Sequence, residues 1–164
     1  LGIAERRGWT RFDVIQPMYN LVKRQAEGEI LPLARAENLG VVTYSPVGGG
    51  LLSGKFRPGT RPNDGRLVEN ASYSRRYGDE WMLETAGAFG EFADARGVHP
   101  VTLAVAWAAA HPDVTCPIIG ARSLEQLQPS LDALDFELPA DLRDEISALS
   151  RRPPPATDRT EVQE

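Results

Sequence analysis

Three short apolar runs set the fold. They are FDVIQ within FDVIQPMYN (12–20), VVTYS (41–45) and VTCPIIG (114–120). Each is rich in β-branched residues, continuous rather than alternating, and bounded by Gly or Pro, as for strands buried on both faces. Helical patterns separate them, so the strands must pair in parallel through right-handed crossovers. Three strands alone make a poor closed structure, because a parallel sheet is normally covered on both faces and its edges protected. The expected architecture is therefore α/β, and a piece of a larger barrel or sheet.

The connecting segments read as follows. LGIAERRGW at the start reads as the end of a helix closed by Gly8. A helix is expected over 30–38, with Gly40 just beyond it as a stop signal. DEWMLETAGAFGEFADARG (79–97) places Met82, Ala86, Phe89 and Ala93 at steps of three and four, on one helical face. HPVTLAVAWAAAHP (99–112) is apolar nearly all round and should be a buried helix, with His99 and His111 as boundary residues beside prolines. Ser123 and Gln126 have capping-box spacing at the head of a helix over 123–134. A surface helix follows over 138–149, then RRPPPATDRTEVQE (151–164), expected to be a disordered tail. The domain division is then 1–150 and tail.

Composition narrows the function classes. Eighteen Lys plus Arg against 23 Asp plus Glu give a formal charge of -5, which argues against nonspecific nucleic-acid binding. No apolar run reaches the roughly 18 residues of a membrane span. A single cysteine, Cys116, allows no internal disulfide and fits a reducing, cytoplasmic compartment. Set in an apolar strand, it is expected to be an inert buried thiol. The histidines and Cys116 have no metal-ligand spacing, so no metal site is expected. The chain opens on Leu1 rather than Met, as a fragment would.

Residues 46–78 show no sustained period and read as a long loop, of the kind that often carries function. From Gly49 the letters G-G-L-L-S-G-K-F match a phosphate loop in every position but the last. Phe56 stands where a Ser or Thr would hold Mg²⁺, and the continuation RPGTRPNDG is dense in helix breakers. A nucleoside-triphosphate loop is thereby disfavoured. Tyr44 ends a buried parallel strand, at the mouth of the sheet where ligands of such folds sit. Its ring offers a flat face. Ser45 and the following backbone N–H groups can take phosphate oxygens, with Lys55 and arginines supplying charge.

QPMYNL (16–21), TYSPVGGGLLSGKF (43–56) and PIIGARSLEQL (117–127) resemble the C-terminal half of an aldo/keto reductase, in the branch related to potassium-channel β subunits. The resemblance covers roughly residues 1–150 and implies the last three strand–helix units of a (β/α)8 barrel that binds NADPH at its strand ends. It implies that Gln16 hydrogen-bonds the nicotinamide carboxamide and that Tyr44 stacks on the nicotinamide ring. Ser45, Val47 and Lys55 are similar to the family's pyrophosphate and ribose contacts. Arg66 is similar to an arginine that clamps the cofactor, with Arg57 or Arg61 as alternatives. Gly120, Arg122 and Gln126 resemble the adenosine 2′-phosphate and adenine contacts, which implies NADPH over NADH. Pro129 and Ser130 stand where the family usually carries a Glu and an Asn for the adenine amine.

The family's catalytic Tyr, Lys, Asp and His lie on segments outside this stretch, so no catalytic residue is carried over. The chain alone is expected to be inactive in reducing a carbonyl small molecule. The alternatives are a non-catalytic half-barrel that pairs with another chain, or a truncated product without activity. Open edges at 12–16 and 114–119 lead to an expectation of self-association.

Overall fold

The computed structural model describes residues 1–57, 62–63 and 65–154. A short helix α1 (Gly2–Arg7) ends at Gly8 in the left-handed conformation, as expected. Then come β1 (Val14–Ile15), α2 (Ile30–Ala36), β2 (Gly40–Thr43) and a kinked 3₁₀ segment over Gly48–Ser53. After it follow α3 (Arg66–Glu69), α4 (Ala71–Tyr77), α5 (Glu80–Ala95), α6 (Pro100–Ala109), β3 (Cys116–Pro117), α7 (Leu124–Leu131) and α8 (Ala140–Ala148). The strands form one parallel sheet in the order β1-β2-β3.

Helix α5 buries Met82, Ala86, Phe89 and Ala93, the face its periodicity predicts. Helix α6 is buried from Thr102 to Ala108, and Pro100 occupies its first turn, where a missing N–H costs nothing. His99 Nδ1 accepts from the Val101 N–H at 3.1 Å, and His111 Nδ1 from the Asp113 N–H at 3.1 Å. Both histidines are helix-boundary residues, as expected.

The two faces of the sheet differ. Register pairs Ile15 with Val41 and Thr43 with Pro117, on the face where Val41 and Thr43 are fully buried under helices. The opposite face carries Val14, Gln16, Val42, Tyr44, Cys116 and Ile118 by strand alternation. There Val14 is 54% and Ile118 43% exposed. The expectation that β1 and β3 are buried on both faces is therefore corrected. On that second face Gln16 and Cys116 are also exposed and Val42 and Tyr44 are only half-buried, and among the described residues each outer strand has one neighbour. Cys116 is corrected for the same reason: its thiol is exposed.

Three local expectations also change. Asn38, not Gly40, takes the left-handed conformation that ends α2 (φ 52), and Gly40 begins β2 instead. The segment 46–78 contains α3 and α4, both too short to show a period. Asn70 caps α4, its Oδ1 accepting from the Ser72 and Tyr73 N–H groups at 3.0 and 3.3 Å. Ser123 accepts from the Gln126 N–H at 3.3 Å, but the Gln126 side chain reaches the Arg122 N–H rather than that of Ser123. As for the expected tail, the Arg151 guanidinium lies 4.9 Å from the Trp81 ring centroid, and residues 155–164 lie outside the described residues.

Candidate functional site

The C-terminal ends of β1 and β2 are tied together beyond their ladder. The Tyr44 N–H donates to the Pro17 carbonyl at 3.0 Å, and the Tyr19 N–H donates to the Tyr44 carbonyl at 3.2 Å. This register sets Gln16 and Tyr44 on the uncovered face of adjacent strands. Gln16 is exposed, and its amide makes no hydrogen bond among the described residues. Tyr44 is half-buried, and its ring has no aromatic or cationic partner among them.

Immediately after Tyr44 the chain turns. Ser45 adopts φ 60, left-handed and disfavoured for a residue with a Cβ. A buried polar post holds it there. Asn20 Nδ2 donates to the Ser45 carbonyl at 2.9 Å and to the Tyr77 hydroxyl at 3.2 Å, while Asn20 Oδ1 accepts from the Val22 N–H at 3.1 Å. The Tyr77 hydroxyl in turn donates to Met18 Sδ at 3.3 Å. Burial pushes the Tyr77 phenol above its ordinary range. The turn thus leaves the N–H groups of Ser45 and Val47, on either side of Pro46, without an acceptor among the described residues. Such paired free donors suit an anion.

The glycines answer to packing. Gly49 has φ 66, and a Cβ there would stand 2.7 Å from Tyr73 Cδ1, so only glycine lets α4 close on the turn. Phe56 packs against the core, and no helix begins at Lys55. The phosphate-loop reading therefore fails on both of its structural requirements.

Lys55 is exposed after the turn. The Arg66 guanidinium carbon lies 5.2 Å from the Tyr73 ring centroid, and Arg76 lies at the same distance from that ring. Of the alternatives to Arg66, Arg57 is bound to Asp94 at 2.7 Å against α5, and Arg61 lies outside the described residues. At the end of β3, Gly120 has open space around it. Arg122 stands just before α7, its Nη2 3.6 Å from Glu69 Oε2, which ties α3 to that end of the sheet. Pro129 lies inside α7, where its carbonyl accepts from Thr102 Oγ1 at 2.6 Å, and Ser130 is buried. Both residues join α7 to α6.

Gln16, Tyr44, Ser45 and Val47 are thus gathered by β1–β2 pairing, and Gly120, Arg122 and Gln126 at the end of β3. Arg66 belongs to the second group only indirectly, through Glu69 one helical turn on. Sequence reasoning missed Asn20, Tyr77, Tyr73 and Glu69. Asn20 had a signal: a polar residue inside an apolar run must find partners if it is buried. Among the described residues, no cluster of His, Cys, Asp and Glu could hold a metal ion.

Gln16 offers an amide that both donates and accepts, Tyr44 a free ring face, and the turn free N–H groups.

The profile of the Aldo/keto reductase family matches residues 2–151. An uncharacterized oxidoreductase, YrpG, of Bacillus subtilis is 37% identical over 136 residues, covering 82% of this chain and 39% of its own length. A probable voltage-gated potassium channel subunit beta of Arabidopsis thaliana is 35% identical over 137 residues, covering 82% of this chain and 42% of its own. A glycerol dehydrogenase of Gluconobacter oxydans superposes with a TM-score of 0.68 at 27% identity, over 87% of this chain and 43% of that one. The chain spans about two fifths of these relatives, and its three parallel strands with their helices correspond to part of a (β/α)8 barrel. The chain belongs to the aldo/keto reductase family.

Proposed function

We propose that residues 1–150 are the NADPH-binding C-terminal part of an aldo/keto reductase that reduces aldehydes or ketones, with the catalytic half outside these residues. One observation carries this reading. Gln16 and Tyr44 stand on adjacent strand ends with an amide and a ring face that nothing in the described chain uses. Bound NADPH would supply the hydride for carbonyl reduction. Gln16 would hold its carboxamide, and the Tyr44 ring would fix which face of the nicotinamide is presented. The Ser45 and Val47 N–H groups and Lys55 would hold the pyrophosphate, and Arg66 would supply a further positive charge to the cofactor. Gly120 would leave room for the adenosine end, and Arg122 and Gln126 would face its 2′-phosphate.

No side chain in the described residues is assigned the proton donor's role. Tyr19 is fully buried, its hydroxyl donating to Glu27 Oε1 at 2.7 Å and accepting from Arg143 Nη2 at 3.0 Å. Tyr77 is buried in the post that supports Ser45. Among the described residues no helix is long and apolar enough to cross a membrane, and the family assignment supports a cytoplasmic setting. The test is a fluorescence titration with NADPH and NADH. Wild type should bind NADPH more tightly, Tyr44→Ala should weaken both ligands, and Arg122→Ala should abolish the preference. Absence of NADPH binding by wild type, or a preference retained by Arg122→Ala, would refute the assignment.

The uncovered sheet face favours a second, compatible reading, in which the isolated chain self-associates. Val14, Ile118 and Phe12 (71% exposed) are apolar residues on or beside outer strands. Open edges and an open apolar face promote pairing between chains. Light scattering should give a dimer or larger species, and a monomer at all concentrations would exclude it.

A further inference from the structure

We infer that Glu69 is an internal counter-anion that competes with the cofactor's 2′-phosphate for Arg122, and so limits the preference for NADPH over NADH. The inference rests on the reading of Arg122 given above. Glu69 closes the one-turn helix α3 and has two partners. One carboxylate oxygen accepts from the Gly65 N–H at 3.2 Å, and the other lies 3.6 Å from Arg122 Nη2. The helix is only four residues long, so the carboxylate folds back to the N–H of Gly65, which precedes the helix. Glu69 is the guanidinium's ion-pair partner among the described residues, since Gln126 Oε1 engages the Arg122 main chain instead.

The pair is open to exchange. Arg122 is 66% and Glu69 54% exposed, and the contact is long. A phosphate brings more charge and more acceptor oxygens than a carboxylate, so it displaces Glu69 from a guanidinium in water. The displaced carboxylate still stands nearby and repels the phosphate. NADH has no 2′-phosphate, so Glu69 leaves its binding unaffected. Neutralising Glu69 should then tighten NADPH and leave NADH alone. An exposed ion pair implies an effect of roughly 1.5- to 5-fold.

Glu69→Gln keeps an oxygen for the Gly65 N–H and removes the charge. Titrations of wild type, Glu69→Gln, Arg122→Ala and the double variant with NADPH and NADH test the inference, with melting curves to check folding. Glu69→Gln should bind NADPH about 1.5- to 5-fold more tightly, with NADH unchanged, and the gain should vanish when Arg122 is Ala. Equal or weaker NADPH binding by Glu69→Gln would overturn the inference, as would equal tightening of both ligands. If Arg122→Ala still abolishes the preference in that case, the cofactor reading stands and Glu69 alone is wrongly assigned. If wild type does not bind NADPH, the cofactor reading fails and the inference falls with it.

Discussion

Tyr44 and the tyrosines behind it have opposite surroundings. Tyr19 stacks on Trp107 with centroids 5.0 Å apart, and its hydroxyl is bracketed by Glu27 and Arg143. Tyr77 has its hydroxyl shared between Asn20 and Met18. Tyr44, one strand end away, has neither a ring partner nor a hydroxyl partner among the described residues. Groups whose partners lie within the chain serve the fold. Groups placed by a rigid backbone and left unpaired are available to a ligand. Among the described residues the tyrosines on the helix-covered side of the sheet have their hydroxyls paired, although Thr43 Oγ1 and Arg143 Nε there have no hydrogen-bond partner, while Gln16 and Tyr44 at the strand ends are unpaired.

The largest effect should come from the helix-covered side. Trp107 is fully buried, stacked on Tyr19, flanked by the Arg24 and Arg143 guanidinium groups at 5.7 and 5.1 Å, and hydrogen-bonded through Nε1 to Ser147 Oγ at 3.0 Å. Trp107→Ala should cost about 3–5 kcal/mol, enough to unfold a marginal domain, as read by urea denaturation. Next is Tyr77→Phe, which leaves the Asn20 amide short of one acceptor and should cost about 1–3 kcal/mol. It should also loosen the Ser45 turn, seen as faster amide exchange at Ser45 and Val47. Unchanged stability in Tyr77→Phe would erase the distinction between the two sets of tyrosines. On the ligand side, Tyr44→Ala should weaken nicotinamide binding by about 0.5–1.5 kcal/mol in stacking. Gln16→Ala should leave stability within about 0.5 kcal/mol while lowering cofactor affinity.

The smallest effect is a pH dependence. Burial, with the Arg143 charge adding to it, holds the His111 imidazole below its ordinary range, so the folded state favours the neutral ring. The unfolded chain binds that proton more readily, so His111 contributes stability above its unfolded value near 6.5 that is lost as pH falls. Glu27 works in the same direction. Burial raises its pKa, but hydrogen bonds from Arg24 and Tyr19 outweigh burial and keep the carboxyl below its ordinary range. Melting temperature should decline from pH 7 toward pH 4, and less steeply in His111→Asn. Identical profiles would remove His111 from the account.

Much of this division was legible in the sequence, and the reasons it was incomplete are physical. Helices α5 and α6 were legible because a long amphipathic period or an all-apolar run reflects burial directly. The three strands were legible as apolar runs, but whether both faces are covered depends on neighbours that the run itself does not specify. This is why Val14, Cys116 and Ile118 were read as buried. Helices α3 and α4 span too few residues to establish a period, so they read as loop. Tyr44 was singled out by its place at the end of a buried parallel strand, and Gln16 only through a family resemblance. Asn20, Tyr77 and Glu69 act through partners 25 to 57 positions away, which no local pattern encodes.

The most direct test of the division is calorimetric titration of NADPH into wild type and Gln16→Ala, with thermal melts of both proteins without ligand. The melts should coincide, wild type should bind, and Gln16→Ala should bind more weakly. Equal binding by the two proteins, or no binding by wild type, would contradict the claim that the unpaired strand ends are a cofactor site.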